Sequence, residues 1–110
     1  MYDLAALEAA LAGTIKITST SYPALNGSYS VGPQAQSNLA AVELYAVANG
    51  TFPGGATSYP WLDASGQPHV FPSVTEFKAF ASAVANYVAA VTMVEDTGTG
   101  TLPAATASIP

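Results

Sequence analysis

Residues 73–94 constrain this chain most. Ser73 is followed three residues later by Glu76, the spacing of a capping box, in which each side chain satisfies the other residue's orphan backbone N–H. Pro72 stands just before and blocks the helix from growing backwards. Phe77, Phe80, Ala81, Val84, Tyr87, Val88 and Val91 then recur at the i, i+3, i+4, i+7 spacing of one buried face. Lys78, Ser82 and Asn86 fall on the opposite side, where they can sit in water. A helix over residues 74–94 would be roughly 30 Å long, the width of a small domain. Alanine fills many of the other positions, costs least to order in a helix, and lets a neighbouring element come close.

The residues before this helix read as a hairpin. Tyr59, Pro60, Trp61 and Leu62 form one arm, and Gln67, Pro68, His69, Val70 and Phe71 the other. Asp63-Ala64-Ser65-Gly66 between them has the signature of a type I turn, with Gly66 supplying positive φ. Pro60 and Pro68 cannot donate ladder hydrogen bonds, so both belong on edges or outside the paired region. Trp61 and Phe71 are expected over the helix face. With Phe77, Phe80, Val84, Tyr87 and Val88 they make the expected core.

Earlier in the chain, Asp3 can cap a short helix over residues 4–12, with Leu4, Leu7 and Leu11 as its stripe and Gly13 as its stop. Such a helix needs packing partners, either in its own domain or in another chain. Residues 14–22 alternate as a strand that Pro23 ends. Asn26-Gly27 marks a turn into a return strand over residues 28–31. Pro33 suits the first turn of a second helix, expected from about Gln34 or Ser37 to Ala48, with Asn49-Gly50 as its C-cap signal. That helix is apolar on two sides, with Leu39, Val42, Tyr45 and Ala46 on one and Leu44 and Val47 partly on the other, a pattern that predicts burial on both. Residues 51–58 read as a loop. Residues 97–110 carry no charge and show no period.

The expected fold is therefore one α+β domain over residues 1–96. Three helices pack on small antiparallel β-hairpins, and residues 97–110 follow as an extended or flexible C-terminal tail.

Charge excludes several functions. Only 8% of residues are charged, against about 25% in a typical domain. The formal net charge is −5, with two lysines and no arginine. Nucleic-acid binding needs clustered cations, and so does docking on anionic membranes; neither is expected. No 18-residue apolar run is apparent as a membrane span. Cysteine is absent, so no disulfide staples the fold. The N-terminus lacks the basic start of a secretory signal, and synthesis in the cytoplasm is expected.

Nothing in the sequence assembles catalytic equipment, and no enzyme activity, metal or cofactor is expected. His69 is the only histidine, and spacing names no partners for a metal site or a triad. Asp63 is placed to pair with it across the hairpin. Asp63 and the residues after it lack the distal ligands of a calcium loop. The carboxylates are scattered, and Glu76 is occupied in the cap. The tyrosines suit a subunit contact, since Tyr is both flat and polar. Leu4, Leu7, Leu11, Tyr59, Leu102 and Ile109 are the candidate contact residues.

Three segments carry a family resemblance. They are Ile15-Lys16-Ile17-Thr18-Ser19 leading to Ala24-Leu25-Asn26-Gly27-Ser28-Tyr29; the loop Asn49-Gly50-Thr51-Phe52-Pro53-Gly54-Gly55; and Trp61-Leu62-Asp63-Ala64-Ser65-Gly66-Gln67-Pro68-His69-Val70-Phe71 with the helix after it. Over roughly residues 14–92 the chain resembles a domain family carried by tailed bacteriophages and prophages, often among tail-region or tail-fibre-associated genes. The resemblance transfers no catalytic residue. It implies a non-enzymatic virion or assembly protein, made in the host cytoplasm and tail-associated, whose partners are copies of itself in a homo-oligomer and other virion proteins. The other roles to weigh are a receptor- or glycan-binding module, a fibre-assembly chaperone and a capsid decoration protein. A small hydrolase would instead require His69 in a pocket beside a carboxylate.

Overall fold

The computed structural model describes residues 13–97 and 103–110. Strand β1 (Thr14–Ser19) pairs antiparallel with β2 (Gly27–Ser30) across a loop that holds a 3-10 turn at Pro23–Leu25. Helix α1 (Pro33–Asn49) follows, with Pro33 in its first turn and Gly50 closing it in the left-handed conformation at φ 71°. Strands β3 (Tyr59–Leu62) and β4 (Pro68–Phe71) form the expected hairpin. Helix α2 (Val74–Thr97) then crosses the molecule, and β5 (Thr106–Ile109) returns to the first sheet. At the start of α2 the Ser73 hydroxyl donates to the Glu76 carboxylate, and the Phe77 N–H donates to the Ser73 carbonyl.

The fold departs from expectation in several ways, and β1 already ends at Ser19 rather than at residue 22. Among the described residues there are two α-helices rather than three; the helix expected over residues 4–12 lies outside the described residues, as do Leu4, Leu7, Leu11 and Leu102. The first sheet is also mixed, in the order β2-β1-β5, with β5 parallel to β1. The reason lies in β1. It buries Ile15, Ile17 and Ser19 on one face and has two backbone edges to satisfy. β2 takes one edge. β5 takes the other, so the end of the chain is a strand rather than a loose tail. Parallel partners need a long crossover, and the chain through α1, the hairpin and α2 supplies it. Ile109 is 3% exposed and lies in the core, so this candidate contact residue is a packing residue of its own domain.

The core sits between the two sheets and α2. Phe77, Phe80, Val84 and Val91 of α2 are buried, Tyr87 nearly so, and Val88 packs half-buried beside them. Lys78, Ser82 and Asn86 face solvent as the helical period requires. Phe80 is the hub. Its ring centroid lies 4.8 Å from Tyr29, 5.0 Å from Phe71, 6.0 Å from Phe77 and 6.4 Å from Trp61. Phe52, from the Gly- and Pro-rich loop after α1, is fully buried and stacks on Tyr59 at 5.4 Å. By length and composition alone, Val74–Val94 is apolar enough to cross a membrane, contrary to expectation. Here its aromatic face is buried against both sheets, as in the core helix of a globular domain.

Candidate functional site

The turn at Asp63 builds the densest polar cluster described. Gly66 N–H donates to the Asp63 carbonyl at 3.0 Å, and Asp63 N–H to the Gln67 carbonyl at 2.9 Å. Gly66 has φ 87°, so this is a type I turn closed by a left-handed glycine. The Asp63 carboxylate organises the turn. Its Oδ1 accepts from the Ser65 N–H, the Ser65 hydroxyl and the Gln67 N–H at 2.9, 2.7 and 2.9 Å.

Its Oδ2 lies 2.8 Å from Nε2 of His69, diagonally across the hairpin. The other ring nitrogen, Nδ1, donates to the Ala24 carbonyl at 2.7 Å, because a carbonyl oxygen can only accept. A carboxylate also only accepts, so the geometry is that of a doubly protonated imidazolium. His69 thus ties the β3–β4 turn to the 3-10 turn before β2. Gly27 makes room: a Cβ there would lie 3.2 Å from the imidazole ring. The two side chains are only 14% and 12% exposed.

The electrostatics follow. Hydrogen bonds from the Ser65 hydroxyl, then His69, then the Gln67 N–H hold the Asp63 carboxyl well below the usual carboxylate range. Partial burial works against charge on His69, but the Ala24 carbonyl and Asp63 outweigh it and raise its pKa. Burial, then the negative Asp63, pushes the Tyr29 hydroxyl well above its ordinary value, and it donates to the Leu25 carbonyl at 2.7 Å. Chemically the cluster is a clamp. Both His69 nitrogens are engaged, and neither is left to accept a proton from a substrate.

Linkage gives a prediction. The Asp63 contribution to stability is present above its unfolded pKa and fades as pH falls towards its lowered folded value. The His69 contribution is complete below its unfolded pKa and fades as pH rises through its raised folded value. The pair therefore stabilises most between about pH 4 and 6.5. Urea unfolding at pH 6 and pH 9 is expected to show a loss of stability at the higher pH, and Asp63→Asn is expected to flatten that difference. An unchanged pH slope in the variant would mean that the clamp is not charged.

A second feature is a groove of about 470 Å³ along β3. All four residues of β3 line it, facing Ser30 of β2 and Asn38 and Ala41 of α1. Tyr59 and Trp61 are half-buried there. Trp61 also meets Phe77 edge-on at 5.6 Å, so it serves the core and borders the groove at once. Of the other candidate residues, Phe71 is fully buried. Among the described residues no group of three or more His, Asp or Glu is placed to hold a metal.

Residues 4–108 match the family described as Domain of unknown function (DUF4376). The chain belongs to that family. The DUF4376 match spans both sheets, both helices and the clamp, so these features sit within one family domain. No curated protein and no solved structure shows significant similarity to the chain. For this DUF4376 domain, sequence reasoning reached the Asp63–His69 pair through the hairpin register. It missed the Ala24 carbonyl and Phe52. Both come from loops without a hydrophobic period, and only tertiary proximity marks them.

Proposed function

We propose that this chain is a non-enzymatic structural subunit of a bacteriophage particle, tail-associated, that works through subunit–subunit assembly. Its partners are copies of itself and other virion proteins, and its place is the virion. The observation that carries the assembly reading is the outer side of α1. Leu44 is 72% and Val47 60% exposed, one turn apart on a helix whose other side is buried. The chain was expected to bury both sides, and within the domain it buries one. Only 8% of the chain is charged, which lowers the desolvation cost of covering such a surface. The resemblance in the Trp61 to Phe71 hairpin and the strand before Tyr29 supports the phage assignment.

Light scattering on the full chain is expected to give a defined oligomer. Leu44→Glu with Val47→Glu is expected to return it to monomer with unchanged circular dichroism and melting temperature. Burying one such side chain is worth about 1.5–3 kcal/mol, so the double variant should weaken association by about a hundredfold or more. A full chain that stays monomeric at high concentration would sink self-assembly.

The half-buried Tyr59 and Trp61 beside Asn38 favour a second reading, a receptor- or glycan-binding module. That reading requires a saccharide to perturb Trp61 fluorescence in a monomeric chain.

A further inference from the structure

The groove along β3 lies where two sheet edges part. The bond from Asp63 N–H to the Gln67 carbonyl marks residues 63 and 67 as a hydrogen-bonded pair. Hydrogen-bonded and non-bonded pairs alternate in an antiparallel ladder. Tyr59 with Phe71 and Trp61 with His69 are therefore bonded pairs, while Pro60 and Leu62 turn their backbone groups away from β4. This also explains how two prolines fit the hairpin: Pro60 and Pro68 both occupy non-bonded positions, where no ladder donor is required.

The same count applies to β2. The Val31 N–H donates to the Gly13 carbonyl, so Ser28 and Ser30 turn their backbone groups away from β1. The two outward edges meet where the Ala64 N–H donates to the Ser28 carbonyl at 2.8 Å. Continuing that antiparallel count would bring Ser30 opposite Leu62. Instead the groove opens there, and both residues line it. Successive strand side chains point to opposite faces, so a groove touched by four consecutive residues runs along the strand's edge.

No described strand pairs with either edge at this point. The groove offers outward backbone groups of Ser30, Pro60 and Leu62, and among the described residues none that lines it is charged. A phosphate or an acidic peptide would find no cation among these lining residues. Ala35 and Ala41 of α1 are small enough to let a main chain come close. We propose that this groove binds an uncharged, extended segment of another polypeptide, which adds as a strand by pairing with Leu62 and Pro60 on one side and Ser30 on the other. The proposal specifies a contact of the assembly reading and uses a different surface from Leu44 and Val47.

The probe is an acetylated, amidated five-residue peptide of alternating threonine and valine, titrated into the 15N-labelled full chain. Amide shifts are expected at Ser30 and Leu62. Leu62→Pro removes an outward N–H without breaking the β3–β4 ladder and is expected to weaken binding by about tenfold. Leu62→Ala keeps the N–H and is expected to stay within about threefold of the parent. A peptide N-methylated at alternate residues, which needs no variant to fold, is expected to lose binding. Equal binding of the N-methylated peptide, or an absence of shifts at Ser30 and Leu62, overturns the proposal. A response to maltose in place of the peptide overturns it in favour of a saccharide. Loss of self-association in Leu62→Pro without any peptide binding overturns it in favour of a second copy. Failure of the Leu44 and Val47 double variant to alter the oligomer, with the peptide still bound, would count against the α1 contact alone.

Discussion

Phe80→Ala is expected to bring this domain close to unfolding at 37 °C. Phe80 is fully buried, with aromatic neighbours from β2, β3, β4 and its own helix. Truncating a buried phenylalanine costs about 3–5 kcal/mol, combining lost transfer energy with the cavity left behind. Domains of this size are stable by only about 5–15 kcal/mol. The site also has little freedom to collapse, because the surrounding rings are held from four separate elements. A fall in melting temperature on the order of 10–20 °C is expected by circular dichroism. Lys78→Ala, on the exposed face of the same helix, should stay within about 0.5 kcal/mol of the parent. If the two variants melted together, the aromatic hub would not be the centre of the core.

Removing residues 103–110 is expected to do comparable damage, although they form the least patterned part of the chain. The truncation takes away β5 and the buried Ile109. Losing a buried isoleucine alone costs about 2–5 kcal/mol. The Lys16 N–H loses the Ala105 carbonyl and the Thr20 N–H loses the Ile109 carbonyl, at about 0.5–1.5 kcal/mol each. The Ser19 hydroxyl loses the carbonyl of Pro110. β1 would then present a bare edge, and aggregation is the expected consequence. The measurement is urea unfolding of the truncated chain, with amide exchange at Lys16 and Thr18 as the local readout. A truncated chain as stable as the parent would mean that these residues behave as a free tail. Ile109→Asp tests the same contact without shortening the chain, since it places a charge in the core.

These two experiments probe opposite kinds of legibility. The buried face of α2 was readable because its information is local: one helical period, one cap and a proline before it. The hairpin was readable for the same reason, since Asp63 and Gly66 define the turn and the turn sets which residues face each other. Even the Asp63–His69 pair follows from that register. By contrast, the four residues of β5 are too few to show a period, and their partner β1 lies about ninety positions earlier in the chain. Phe52 sits in a loop whose glycines and prolines signal irregularity, and nothing beside it announces burial. Leu44 and Val47 misled in the other direction, because an apolar stripe reports that a face can be covered without saying by what.

Residue order alone was thus enough for the α+β character, the hairpin turn, the C-terminal cap of α1 and the core face of α2. Backbone propensity, capping and side-chain period act within a few residues and need no knowledge of the rest of the molecule. Only the folded structure decided that the last residues complete a mixed sheet, that Ile109 packs inward, that His69 is anchored by a loop carbonyl, and that the edges of β2 and β3 diverge into a groove. Each of those depends on which distant segments come to share one core and one set of backbone partners.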